Sequence, residues 1–183
     1  MNAVKGKSKE TMRRTVVAAA VLAISALLGG EASAQVNRLI ARTTADQSRT
    51  ATTFTDVTGL SWYVAANTTY AFSCHIAHIR SNFGTELYLS INGPASPTAM
   101  RYSVEFPLDD ETDSQFWSGN AYDTGQSGGS NTFGSSPNWP EEIRGTFENG
   151  ANAGTLAIRY MSNTGSGNSV TILRGSFCIV ARQ

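Results

Sequence analysis

The chain has 183 residues, of which 40% are hydrophobic and 15% charged, with 14 basic and 14 acidic side chains and a formal net charge of +0. Every lysine (Lys5, Lys7, Lys9) falls in the first 34 residues together with Arg13 and Arg14, so the remainder is mildly acidic and has only arginine as its base. The chain beyond residue 34 is long enough for one domain with a real core, and with no basic run it carries no footprint for nucleic acid, whose phosphates call for clustered cations.

Chain order begins with a leader. Met12-Arg13-Arg14, an uncharged apolar stretch over 16–28 and Ala32-Ser33-Ala34 form the basic head, short apolar middle and small-x-small exit of a secretory signal peptide. The apolar stretch is short for a bilayer span. Residues 1–34 are therefore expected to be a signal peptide or, uncleaved, an N-terminal anchor, with Met1 or Met12 as the start; the rest is expected in a virion or outside the cell. Residues 35–50 are polar and rich in Thr and Arg. With Val36, Leu39 and Ile40 as apolar anchors beside Arg38 and Arg42, they predict an extended assembly arm that orders against a neighbour.

From residue 51 to 183 the apolar positions alternate with period two between Gly, Asn and Pro punctuation, and no window keeps helical spacing for more than a turn or two. Weak strands are expected at 52–57 and 61–64. The clearest strand places Tyr70, Phe72, Cys74, Ile76 and His78 on one face and Ala71, Ser73, His75, Ala77 and Ile79 on the other. Further strands are expected around Leu87, Leu89 and Ile91, around Tyr102 and Val104, and around Ile143 and Phe147. The last ones lie around Leu156, Ile158 and Tyr160, at 169–173 and at 176–181. About eight strands with long connections predict an all-β, two-sheet β-sandwich of jelly-roll type. Between them, 109–113 (DDETD) is a solvated acidic turn that fails the EF-hand pattern, since Ser114 stands at the turn glycine and Asn120 at the bidentate glutamate. Residues 124–138 form a Gly/Ser-rich loop.

Chemistry is sparse. His75 and His78 are three apart on a strand and point to opposite faces, so they cannot share a metal, and no metal site or cofactor is expected. No Gly-x-Ser-x-Gly elbow occurs. Glu86, Glu105, Glu141 and Glu142 are the only carboxylates weighed for glycoside hydrolysis, and nothing in the sequence places them together. The chain is expected not to be an enzyme. Cys74 and Cys178 either pair across a long loop, as an oxidising compartment permits, or remain two separate buried thiols. The aromatic residues of the loop region, Phe116, Trp117, Tyr122, Phe133 and Trp139, are the candidates for partner contact.

Residues 60–72 (LSWYVAANTTYAF), Asn92-Gly93-Pro94-Ala95, Gly145-Thr146-Phe147, 154–158 (GTLAI) and Leu173-Arg174-Gly175-Ser176, in that order, resemble β-rich domains of tailed-phage virion proteins of the minor tail, fibre and head-decoration type. The resemblance covers most of 51–183 and rests on glycine and turn positions. It implies a usually trimeric β-sandwich that builds or decorates a virion surface, contacts other virion or surface proteins and touches a host receptor, with host-surface glycan as one target. It implies no reaction. The secretion-type leader departs from that pattern and keeps a secreted bacterial lectin, adhesin or filament subunit as the alternative.

Overall fold

The computed structural model describes residues 38–82, 84–107, 114–125, 140–165 and 167–183. The leader, Val36, the acidic cluster at 109–113, and Phe133 and Trp139 within 126–139 lie outside the described residues. Those described are all β. Eleven strands run β1 (Arg38–Arg42), β2 (Gln47–Arg49), β3 (Thr55–Val64), β4 (Thr69–Arg80), β5 (Leu87–Asn92), β6 (Ala99–Pro107), β7 (Ser114–Gly119), β8 (Pro140–Glu148), β9 (Gly154–Ser162), β10 (Val170–Ile172) and β11 (Phe177–Arg182).

Two antiparallel sheets form a sandwich. The larger is ordered β1-β11-β4-β8-β6-β7, with β2 and β10 joined to it through β4; the smaller is β3-β9-β5. The pairs β1–β11, β2–β10, β3–β9 and β4–β8 are nested one inside the next. That is one long hairpin wrapped over two sheets, the strand order of a jelly roll. The facing sides are apolar at every second position: Tyr70, Phe72, Ile76, Val104, Ile143 and Phe147 from the larger sheet meet Leu60, Trp62, Leu89, Ile91, Leu156 and Ile158 from the smaller. Cys74 and Cys178 sit opposite one another on β4 and β11 and form a disulfide, both side chains fully buried.

Two departures from the alternation explain the strand count. Residues 52–57 and 61–64 read as separate strands in the sequence, yet most of them lie in one, β3, whose register against β9 shifts between Asp56 and Ser61. The bulge holds Gly59 at φ +92°, and a β-carbon there would come within 2.4 Å of the Arg42 carbonyl oxygen, so only glycine fits where β3 crosses β1. The second departure concerns the arm, which orders against its own chain. Arg38, Leu39, Ile40 and Arg42 form β1, hydrogen-bonded to β11, and residues 38–49 belong to the sandwich. An edge strand needs little apolar content to dock, and here only Ala41 is fully turned inward.

Along the edge of β4, β11 pairs with residues 70–75 and β10 with 78–80, so these two short strands are one line interrupted at 173–176. The neighbouring line, β1 then β2, is interrupted at 43–46. Thr43 N donates to Ser176 O (2.9 Å), Gly175 N to Thr43 O (3.1 Å), Thr43 Oγ1 to Leu173 O (2.9 Å) and Arg174 N to Asp46 Oδ1 (2.7 Å). Beyond this break the Gln47 side chain acts as a missing strand: its amide donates to Thr58 O (2.9 Å) and its carbonyl accepts from Thr58 N (2.7 Å), joining the rims of the two sheets.

Candidate functional site

The outer face of the larger sheet is open to solvent, and register fixes what it displays. One row across the strands reads Ile40, Ile179, Ser73, Arg144, Ser103, Ser118; the next reads Arg42, Phe177, His75, Glu142, Glu105, Phe116. The face thus divides. At the β1–β11 end it is apolar, with Ile40 67% exposed, Ile179 beside it, and Phe177 packed against the His75 ring at 5.0 Å. At the β8–β6–β7 end it is polar and sunken: a cavity of about 760 Å³ lies over Ser73, Ser103, Ser118 and Asn120 between Arg101 and Arg144. The depression follows from small side chains on successive strands.

Electrostatics within this polar half are uneven. Arg144 is shared between Glu105 at 3.4 Å and Glu142 at 3.8 Å, and Glu142 also accepts a hydrogen bond from Ser73 Oγ at 2.7 Å. Of the four carboxylates weighed from sequence, Glu105 and Glu142 are therefore brought together, as register partners on β6 and β8. Glu141 faces the opposite way, into the core. Arg101 has no carboxylate partner among the described residues.

The aromatic candidates separate in the same manner. Phe116 projects from the outer face of β7 and is 60% exposed. Trp117 turns inward, half-buried, its ring 5.6 Å from that of Tyr102. Tyr122 packs 6.4 Å from Phe147 and donates its hydroxyl to Pro94 O at 2.7 Å, and burial pushes the phenol up to about 12. Trp117 and Tyr122 thus belong to the rim of the core, which leaves Phe116 as the presented ring among the described candidates.

A second cluster lies inside. His78 and Glu141, both buried, approach at 3.5 Å between Nε2 and Oε1, while His78 Nδ1 and Glu141 Oε2 are buried without a hydrogen-bond partner. Burial lowers the imidazole to about 4, with the Arg80 charge adding to the effect, and burial raises the Glu141 carboxyl well above the ordinary range. Burial thus disfavours the charged form of each group. His75 stands on the other face, as the strand spacing requires, and no group of three or more His, Cys, Asp or Glu among the described residues could hold a metal ion.

No family model and no curated protein matches this sequence. Among solved structures the chain is similar to one of infectious bursal disease virus Gx strain, at 13% identity and a TM-score of 0.23, and to the VP2 subviral particle of infectious bursal disease virus, at 14% and 0.22. Each alignment covers 81% of this chain, which spans 39% and 40% of the length of those two chains.

Proposed function

We propose that this is a non-enzymatic structural subunit of a phage or phage-derived particle, a capsid-decoration, head-fibre or tail component, that assembles through the β1–β11 end of its larger sheet. The observation that carries the reading is the apolar pair Ile40 and Ile179, register partners on a solvent-facing surface with the Phe177 ring alongside. Side chains of this kind, clustered on one flat face, gain most when a second surface removes them from water, at about 25 cal/mol per Å² of apolar area. The order of glycine and turn motifs described from the sequence supports the virion setting, and a cyclic homotrimer is the proposed assembly.

Native mass spectrometry and light scattering on the mature protein test this. The wild type should run as a multimer, and Ile40→Glu/Ile179→Glu should run as a monomer with unchanged circular dichroism. A wild type that stays monomeric at tens of micromolar refutes the assembly. Capsid and tail genes as neighbours would support the virion setting. The competing reading, a secreted lectin or adhesin, draws on Phe116, the exposed ring on β7.

A further inference from the structure

We infer that the depression over β8, β6 and β7 is a binding site for an acidic saccharide, with the Arg101 guanidinium receiving its carboxylate. Size is the first ground. About 760 Å³ falls within the range of small-ligand pockets. Its floor runs from Ser73 on β4 across β8 and β6 to Ser118 on β7, three strand spacings or about 14 Å, which suits an oligosaccharide better than a single ion.

Donor chemistry is the second. Hydroxyls of Ser103 and Ser118 and the Asn120 amide can each donate and accept, and Ser73 Oγ, which donates to Glu142, can still accept, the pattern that sugar hydroxyls require; Phe72 and Tyr102 also line the depression. Charge is the third. Arg144 is offset by Glu105 and Glu142, whereas Arg101 lines the same cavity with no carboxylate partner among the described residues. One guanidinium without a carboxylate partner among the described residues suits a singly charged sugar through a bidentate contact, and is far too little for a nucleic-acid backbone. Phe116, two residues before Ser118 on the same face of β7, places an aromatic ring beside the cavity, where a pyranose can stack. Of the pair proposed for assembly, Ile179 borders the site at Ser73, its register partner, whereas Arg101 lies three strands from β11, on β6.

The test is a titration of the ¹⁵N-labelled full chain with 3′-sialyllactose and trigalacturonate, each against its neutral counterpart, lactose and the methyl-esterified trimer. At least one acidic sugar should shift the amides of Ser103, Ser118 and Asn120, with its neutral counterpart binding about tenfold more weakly or worse. Arg101→Met, a change at an exposed side chain, should cut affinity about tenfold without altering the thermal midpoint, and Phe116→Ala should weaken both members of the pair alike. Equal binding of acidic and neutral sugars, shifts confined to other surfaces, or no shift with either acidic sugar overturns the proposal. A monomer that binds the acidic sugar would refute the assembly reading alone, and an assembled particle that binds neither would refute this one alone.

Discussion

Replacing Glu141 with glutamine should change the shape of the stability curve against pH. In the folded protein His78 stays unprotonated down to about 4, and burial raises the Glu141 carboxyl well above its ordinary value. In the unfolded chain the ordinary values of 6.5 and 4.5 apply. As pH falls below 6.5 the unfolded imidazole takes up a proton that the folded one lacks, so His78 contributes a loss of stability toward acid that ends near 4. As pH rises above 4.5 the unfolded carboxyl releases a proton that the folded Glu141 retains, so Glu141 contributes a loss of stability toward alkali that ends at its raised folded value. Where both act, the two slopes oppose each other and flatten the wild-type curve. Glu141→Gln removes the carboxyl and leaves the imidazole, whose depression comes from burial and Arg80 and so survives. The variant should then lose stability continuously from pH 6.5 to 4, by about 3 kcal/mol in all or ~1.4 kcal/mol for each pH unit, and should no longer lose it on the alkaline side. Urea melts at half-unit pH steps from about 3.5 to 9 would measure both curves. A wild-type curve that slopes between 4.5 and 6.5 in the same way as the variant would refute the opposing contribution of Glu141.

The disulfide closes a loop of 104 residues, for which the chain-entropy relation gives about 4.7 kcal/mol. Cys74→Ala/Cys178→Ala, and the wild type under reducing agent, should each lose a stability of that order in guanidinium melts; equal midpoints for oxidised and reduced wild type would contradict it. Gly145 lies between Phe72 and Tyr102 in the register, and an added β-carbon would meet the Arg101 carbonyl oxygen at 2.3 Å and Tyr102 Cβ at 2.7 Å. Gly145→Ala should cost about 1–3 kcal/mol in the same melt and shift the amides lining the cavity, and a neutral substitution would show that β8 can move aside.

Where a strand is buried on one face and ordinary in its pairing, its sequence is enough. The alternation from Tyr70 to His78 names the inward residues of β4 because each second position meets the opposite sheet. The jelly-roll class follows from such runs. The features that escape are those that depend on a neighbour. β1 reads as a polar arm because an edge strand can be held by backbone hydrogen bonds and one buried alanine, which leave little trace in composition. β3 reads as two fragments because the bulge at Gly59 moves the inward set from Val57 to Leu60 and breaks the period. Trp117 and Tyr122 read as exposed because they lie in loop-like sequence, and only β6 and the inner face of β8 decide otherwise. The sunken polar site has no linear signature, since its serines come from three strands spread over 46 positions and meet only through register. The meeting of His78 and Glu141 is hidden for the same reason: 63 positions separate them along the chain.

The matched interruptions at 43–46 and 173–176 bind two adjoining strands into a single mechanical unit. Sliding either strand by one residue would carry Thr43, Asp46 or Ser176 away from its acceptor or donor on the other, and would turn the Gln47 amide away from Thr58. Slippage must therefore occur in both at once or in neither. This edge of the sandwich is in this way protected against exchanging its outermost strand, so that a second copy, in the assembly proposed above, would meet it side by side as a finished body.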